Sequence, residues 1–209
     1  MPEVARDRQT ALGLIPVPRE TEERFDLFVQ LLGRWRGKIN LISEATYAYV
    51  WTRHIADSAQ IHLISPTAIR WLDIGSGAGF PGIVLAMQLA AVKGGLVHCV
   101  ESDKRKCAFL REVARAVCAP AIVHSIPIQS IHAPALGTVD GVTARALAPL
   151  TRTLNLAQHW LRAGTSGVFP RGQSAATQTE TIHPRSKLKL DLIPSIVDVS
   201  AYFLRVHLD

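Results

Sequence analysis

The amino-acid sequence predicts an α/β fold in which helices cover both faces of one mostly parallel β-sheet. From residue 70 onward, short apolar runs typical of buried strands alternate with longer segments whose apolar residues recur at helical spacing. This alternation indicates a parallel sheet, because each strand needs a crossover helix to reach the next. Residues 188–208 contain two further apolar runs, which predict an antiparallel hairpin at the sheet edge.

The predicted elements follow one another closely along the chain. The predicted strands lie at residues 70–74, 96–101, 121–124, 139–144 and 167–169, and the hairpin brings their number to seven. The predicted helices between them lie at residues 81–91, 103–118 and 149–163. In the helix over 103–118, Cys107, Leu110, Ala114 and Val117 lie on one inner side, which is what covering a sheet requires.

The N-terminal part of the chain has no strand pattern. Apolar residues at helical spacing predict a helix through 25–35, and a second helix is predicted over 45–63. Residues 1–19 form either a mobile start or a short helix. We therefore expect a helical cap over residues 1–66, followed by one compact domain over residues 67–209.

Composition narrows the class of protein. The chain has 209 residues, enough for a full core, and 48% of them are hydrophobic, which excludes a disordered chain. The formal net charge of +6 suits a partner that carries phosphate groups, whether a nucleic acid, a nucleotide or an anionic membrane.

The spacing of the cysteines and the lack of a recognisable targeting segment indicate the cellular compartment of the protein. Cys99, Cys107 and Cys118 include no C-x-x-C pair, which argues against a disulfide framework or a zinc site. The start of the chain lacks the apolar core of a signal peptide, and no stretch approaches about 18 apolar residues. We expect a cytoplasmic protein with no bound metal and no membrane contact.

A glycine-rich loop links the first predicted strand to its helix. Residues 73–82 read Asp-Ile-Gly-Ser-Gly-Ala-Gly-Phe-Pro-Gly. The dinucleotide fingerprint needs its third glycine where Phe80 stands, and no Gly-Lys-Ser/Thr follows as a P-loop requires. The G-x-G-x-G spacing after Asp73 resembles the cofactor loop of Rossmann-like methyltransferases, whose ligand is a nucleoside sulfonium. A glycine-rich turn without a ligand is the alternative.

Glu101 ends the second predicted strand, near this loop. A carboxylate in that place can accept hydrogen bonds from both ribose hydroxyls of a bound nucleoside. The alternative role is a solvated acid at the start of the next helix.

Several segments together resemble one family. They read Trp-Arg-Gly-Lys-Ile-Asn-Leu at 35–41, Arg-His-Ile-Ala-Asp-Ser at 53–58, the glycine loop at 73–82, Glu-Ser-Asp-Lys-Arg-Lys-Cys-Ala-Phe-Leu-Arg at 101–111, Thr-Ala-Arg-Ala at 143–146 and Arg-Gly-Gln at 171–173. Over about residues 20–175 the chain resembles the RsmG (GidB) family, S-adenosylmethionine-dependent methyltransferases of guanine N7 in the 16S RNA of the small ribosomal subunit. The Arg-His-x-x-Asp-Ser segment ahead of the loop is much more specific than the loop alone.

The resemblance implies a class I methyltransferase fold of the Rossmann-like type, S-adenosylmethionine as cofactor and small-subunit ribosomal RNA as partner. We expect a monomer. Ile128 and Gln129 would flank the adenine, and Arg145 would lie at the mouth of the active site. His54, Asp57 and Ser58 match a family segment that closes over the site. The expected cofactor-binding residues are Asp73, Gly75, Gly77, Gly79, Phe80, Glu101, Ile128, Gln129 and Arg145.

The chain departs from the family pattern in three places. The family usually has Arg-x-Glu where this chain has Pro-Ile-Gln at 127–129, and Lys-Gly where it has Arg171 and Gly172. Gln129 can still bond an adenine edge, although without charge. The resemblance is poor after residue 175. Two other functions therefore stay open: a methyltransferase of a small molecule or protein, and a non-catalytic RNA-binding module of ribosome assembly. A dehydrogenase is disfavoured by Phe80.

Guanine N7 carries a lone pair and no proton, so its methylation needs positioning rather than a general base. Arg145 is the first candidate to hold the substrate or the cofactor carboxylate, because its fork can donate to guanine O6 or pair with an anion. Arg171 is a candidate phosphate or substrate contact. His54 is the weakest catalytic candidate, since a satisfied helix histidine is the commoner role.

Overall fold

A computed structural model describes residues 2–131, 133–172 and 188–208 of the chain. Its strands are β1 (Arg70–Ile74), β2 (Leu96–Glu101), β3 (Ala121–Ser125), β4 (Gly141–Thr143), β5 (Ser166–Arg171), β6 (Leu188–Pro194) and β7 (Tyr202–Leu208). They form one seven-stranded sheet in the order β3-β2-β1-β4-β5-β7-β6. Strands β1 to β5 run parallel, and β7 pairs antiparallel with β5 and β6. The predicted sheet with its edge hairpin is confirmed.

The helices match the predictions with two differences. They are α1 (Pro2–Leu14), α2 (Arg19–Trp35), α3 (Glu44–Tyr47), α4 (Asp57–Ile64), α5 (Gly82–Gln88), α6 (Lys104–Ala116) and α7 (Leu150–Arg162), with a π-helix at Trp51–Ala56 and 3₁₀ turns at Ile128–Ser130 and Ala133–Leu136. The single helix predicted over 45–63 is wrong, because the π-helix separates α3 from α4. The helix predicted over 81–91 ends at Gln88. Of the two alternatives for the first residues, the helix is observed.

Helix α1 is fixed to the rest of the N-terminal segment by two charged residues. The buried Asp7 carboxylate accepts the backbone N–H groups of Trp51 and Thr52 at 2.8 and 3.2 Å, and the Thr52 hydroxyl at 2.6 Å. Arg8 donates to both oxygens of Asp26 on α2 at 2.7 and 2.8 Å. Asp7 therefore caps the start of the π-helix from outside.

Successive residues of β1 point to opposite faces of the sheet and join two apolar clusters. Trp71 packs in the cluster that contains residues of α2, α5 and α6, whereas Leu72 and Ile74 pack in the cluster that contains residues of α7. Phe25 and Phe28 of α2 are almost fully buried in the first cluster. The N-terminal helices thus share the core of one sheet face rather than forming a core of their own.

The strand order places a crevice at the end of β1. The chain leaves β1 for β2 and β3 on one side, then returns to β4 on the other side. At such a reversal the connections diverge beyond the carboxyl ends of the strands, where ligands of open α/β sheets bind. Within the part of the chain that the structure describes, no helix has both the length and the apolar character needed to span a bilayer.

The contact between β1 and β4 leaves no room for a side chain at Gly141. A Cβ there would lie 2.6 Å from ring atoms of the fully buried Trp71. We expect Gly141→Ala to lower the free energy of unfolding by about 1–3 kcal/mol through overpacking. Chemical denaturation would measure this.

Gly13→Ala is the matched control, because nothing lies within 4 Å of a Cβ at that position of α1. It should leave the free energy of unfolding unchanged or raise it by up to about 1 kcal/mol. Equal effects of the two substitutions would contradict the packing at β1 and β4.

Candidate functional site

A buried carboxylate lies beneath the glycine loop. Asp73 is fully buried, and its Oδ2 accepts the Gly82 backbone N–H at 3.1 Å where α5 begins. A Cβ at Gly82 would collide with this carboxylate, so glycine is required there. Burial raises the pKa of Asp73 to about 7, with a further contribution from the nearby Glu101.

The loop above Asp73 depends on left-handed backbone at its glycines. Gly75, Gly77 and Gly79 have φ values of 81°, 53° and 90°. Such values favour glycine because other residues are strained there. The backbone N–H groups of Gly75 and Ser76 both donate to the Val100 carbonyl, at 2.9 and 3.0 Å. The loop is therefore fastened to the end of β2.

Glu101 is held at the end of β2 by the same loop. Its Oε2 accepts the Gly77 N–H at 2.9 Å, and its Oε1 accepts the Asp103 N–H at 2.9 Å. Each carboxylate oxygen has a further lone pair free to accept another donor. The carboxylate is thus oriented in advance for two hydroxyl groups.

A cavity of about 640 Å³ opens between the glycine loop, Glu101 and the segment after β4. This volume is that of a typical small-molecule site. The sequence-predicted residues in its wall are His54, Gly75, Gly77, Phe80, Glu101, Ile128, Gln129 and Arg145. Two predicted residues lie behind the wall instead. Asp73 supports the loop from below, and a Cβ at Gly79 would meet Ile83 and Phe28.

The cavity suits a nucleoside-type cofactor. Glu101 offers acceptors for ribose hydroxyls, and Ile126 and Ile128 provide an apolar surface for a flat base beside Gln129. Arg145 has a buried Nη1 for which residues 2–131, 133–172 and 188–208 provide no acceptor, and such a donor suits a carboxylate. The residues present therefore fit S-adenosylmethionine.

The π-helix brings His54 over the loop. The His54 ring stacks on Phe80 with a centroid separation of 4.9 Å and an interplanar angle of 23°. Both of its ring nitrogens are buried, with no hydrogen-bond partner in the described part of the chain. Burial, and then the positive charges of Arg145 and Arg53, lower the pKa of His54 to about 3. His54 is consequently neutral at physiological pH and a poor proton acceptor.

Arg145 joins the end of β4 to the N-terminal segment. Its Nη2 donates to the Arg53 carbonyl at 2.7 Å, and its Nε lies 3.8 Å from Oδ2 of Asp57. Burial raises the pKa of Asp57 and lowers that of Arg145. The next residue, Ala146, has φ of 50°, a strained value for alanine.

A second cavity of about 950 Å³ lies on the other side of this segment. Arg145, Ala146 and Ala148 line both cavities, so they form the partition between them. The polar and aromatic residues of the second cavity include Tyr49, Thr52, Arg53, Asp57, Arg171 and Asp198. A compartment beside a cofactor cavity, with a shared wall, is where a substrate group can meet the cofactor.

Arg171 enters the second cavity from the end of β5. Its Nη1 donates to the Ala148 carbonyl at 3.1 Å, while Nε and Nη2 have no acceptor among the described residues. Gln173, which belongs to the same sequence motif, lies outside the described residues.

Sequence reasoning missed part of the second cavity. Tyr49 is 53% exposed, and Asp198 comes from the loop between β6 and β7. Tyr49 lies four residues before Arg53, a spacing that puts helical residues near one face, and this signal could have linked Tyr49 to the predicted Arg-His-x-x-Asp-Ser segment. Nothing in the sequence links Asp198 to them.

Residues 21–198 match the family described as rRNA small subunit methyltransferase G, GidB. The chain belongs to this family. The family resemblance inferred from the motifs is confirmed, and the match continues beyond residue 175, where we expected it to fail. It includes every residue in the wall of the first cavity.

Relatives in the family cover most of the chain. Ribosomal RNA small subunit methyltransferase G of Bradyrhizobium diazoefficiens is 46% identical over 175 residues, which are 84% of this chain and 67% of the relative. The protein of the same name from Methylorubrum populi is 45% identical over 190 residues, 91% of this chain and 90% of the relative.

Solved structures share the fold. The O-methyltransferase TomG from Streptomyces achromogenes, in complex with SAM, has a TM-score of 0.65 at 18% identity and covers 100% of this chain and 99% of its own. The O-methyltransferase from Bacillus cereus, in complex with SAH, has a TM-score of 0.60 at 15% identity, with 99% and 98% covered. The predicted Rossmann-like methyltransferase fold is confirmed.

The buried Asp73 should make stability depend on pH. Its pKa is about 7 in the folded protein against an ordinary 3.8, so between these values the folded state holds a proton that the unfolded chain releases. Its contribution to folding is therefore most favourable at low pH and is lost as pH rises to about 7. Asn cannot ionise, and its amide oxygen can keep the Gly82 N–H bond.

We expect the stability of Asp73→Asn relative to the original protein to increase between pH 4 and 7 and then to level off, on the scale of these two pKa values. Urea unfolding at several pH values would measure the difference. A difference that stays constant over this range would show that Asp73 is not buried in its neutral form.

Proposed function

We propose that this protein transfers a methyl group from S-adenosylmethionine to N7 of a specific guanine in the 16S RNA of the small ribosomal subunit. The observation that carries this proposal is the family match, because it spans the whole first cavity and both strands that hold the cavity's carboxylate and loop. The relatives named above are called small-subunit ribosomal RNA methyltransferases, which supports the RNA substrate and the methyl transfer.

The first cavity holds the cofactor in this proposal. When bound, S-adenosylmethionine supplies a methyl group activated by a positively charged sulfur. Glu101 accepts the ribose hydroxyls, and Ile128 and Gln129 flank the adenine. Gly75, Gly77 and Phe80 shape the wall, while Asp73 and Gly79 act indirectly by fixing the loop.

The chain's own residues orient the reaction rather than move a proton. Guanine N7 carries no proton, so the reaction requires close and aligned reactants, an arrangement worth up to roughly 7–11 kcal/mol of barrier. The neutral, buried His54 fits this chemistry, since a residue with a pKa of about 3 is not a base at neutral pH. It seals the cavity by stacking on Phe80. Arg145, in the wall of both cavities, positions the two reactants.

The remaining expectations are part of the same proposal. Arg53 and Arg171 in the second cavity, together with the net charge of +6, suit an RNA backbone. Residues 1–66 serve as the cap that closes the site, and residues 67–209 bind the cofactor. We place the protein in the cytoplasm, where ribosomal subunits are its substrate, and propose that it acts as a monomer without a metal ion.

Methyl transfer from labelled S-adenosylmethionine to small subunits from cells lacking the gene tests this function. After digestion of the RNA, we expect the label in 7-methylguanosine. Arg145→Ala should lower the rate about 100-fold or more, because a buried positioning donor is lost.

Arg162→Ala is the control, since Arg162 is exposed at the far end of α7 and lines neither cavity. It should retain the original rate. Label in another nucleoside, or in no RNA at all, would contradict the proposed function.

Cofactor binding can be tested separately by calorimetry. Glu101→Gln removes the charge that strengthens the bonds to the ribose, so the affinity for S-adenosylmethionine should fall about tenfold or more. Glu112→Gln, on α6 outside both cavities, should bind normally. Failure of the unaltered protein to bind the cofactor would favour the non-catalytic RNA-binding module.

A further inference from the structure

Asp57 presents an acceptor to the second cavity for which the described residues supply no hydrogen-bond donor. Its side chain is largely buried, with 15% exposed, and it lines this cavity. Among the described residues, the cationic group within 4 Å is Arg145, whose Nε is 3.8 Å away, too far for a hydrogen bond. The ring nitrogens of His54 are closed off from solvent, whereas the carboxylate oxygens of Asp57 are not. Because the Asp57 carboxylate can be reached from the cavity and its oxygens accept hydrogen bonds, a ligand with N–H groups fits here.

Arg145 stands between this acceptor and the cofactor cavity. Its guanidinium is fixed by the bond from Nη2 to the Arg53 carbonyl, and its buried Nη1 has no acceptor among the described residues. Asp57 lines the second cavity alone, whereas Arg145 lines both. From the second cavity toward the first, the wall therefore presents an acceptor and then a donor, with the cofactor cavity on the far side of the donor.

Guanine carries the complementary order along one edge. N1–H and the N2 amino group are donors, O6 is an acceptor, and N7 with its lone pair follows O6. We propose that Asp57 accepts N1–H and N2–H of the target guanine while Arg145 donates to O6, so that N7 is the ring atom left facing the cofactor cavity. The inference rests on the proposed function and assigns its base specificity to Asp57.

The same pair rejects adenine. Adenine would place the lone pair of N1 against the Asp57 carboxylate and its 6-amino group against the Arg145 donors. Both contacts are unfavourable, and the protein groups would also lose their partners. The pair thereby selects the base and, through its order along the wall, the atom that is methylated.

The charges around Asp57 agree with this role. Burial raises its pKa, the neighbouring Arg145 and Arg53 lower it, and Asp198 raises it. Two N–H donors from a base would favour the ionised carboxylate, which the cavity otherwise leaves without hydrogen bonds.

Binding of nucleoside monophosphates in the presence of S-adenosylhomocysteine tests the assignment, with saturation-transfer NMR to detect weak affinities. The unaltered protein should bind GMP better than IMP, which lacks the 2-amino group, and AMP least. Asp57→Asn should lower the affinity for GMP about tenfold or more, because the bidentate pair between the carboxylate and the N1–H and N2–H groups is lost. It should bind XMP better than the unaltered protein does, because the asparagine amide can donate to the 2-oxo group of xanthine.

Two controls accompany the variant. Asp198→Asn removes the same charge from the same cavity, but the Asp198 carboxylate already accepts the Ser200 N–H and hydroxyl at 2.9 and 2.7 Å. It should keep the preference for GMP. Unchanged affinity of Asp57→Asn for S-adenosylhomocysteine would show that the variant is folded.

The outcomes separate this inference from the proposed function. If Asp57→Asn keeps the original order of nucleotide affinities, or if the unaltered protein does not prefer GMP to AMP, the assignment of Asp57 is wrong even when 7-methylguanosine forms in RNA. If the preference depends on Asp57 but no RNA is methylated, the cavity reads guanine and the RNA substrate is wrong.

Discussion

The bond between the buried Asp73 carboxylate and the Gly82 N–H is the contact on which the rest of the site depends. It ties the end of β1 to the start of α5, across a loop whose glycines adopt left-handed backbone. With both ends of the loop fixed, the Gly77 N–H meets the Glu101 carboxylate at the end of β2. The shape of the cofactor cavity therefore depends on backbone hydrogen bonds around Asp73, a buried residue of a type that is usually exposed to solvent.

Most of the fold is predictable because its signals are local. Short apolar runs predict the seven strands, apolar residues at helical spacing predict the helices between them, and the glycine loop marks the end of β1. The interrupted helix before α4 is not predictable in this way. The first N–H groups of its π-helical turn are accepted by Asp7, which lies 44 residues from Trp51. A contact at such a distance leaves no periodic trace in the sequence.

The candidate site shows the same difference between local signals, which the sequence reveals, and long-range contacts, which it does not. Glu101 and the loop glycines were found because chain spacing places them at the ends of neighbouring strands. The role of Arg145 as a partition could not be found, since its partner is the carbonyl of Arg53, and backbone groups look alike in a sequence. The neutrality of His54 likewise follows from burial and from two positive neighbours, which only the folded chain brings together.

The cap that Asp7 places on the π-helix has a consequence for how such a protein can diverge. The N-terminal segment forms one wall of the second cavity with Tyr49, Arg53 and Asp57. The ends of the parallel strands and the loops that follow them form most of the cofactor cavity. The N-terminal segment can therefore change at Tyr49, Arg53 and Asp57, which line only the second cavity, and remodel that cavity alone. A change at Leu41, Ile42 or His54 of the same segment would alter the cofactor cavity instead, so the two cavities can diverge residue by residue but not segment by segment.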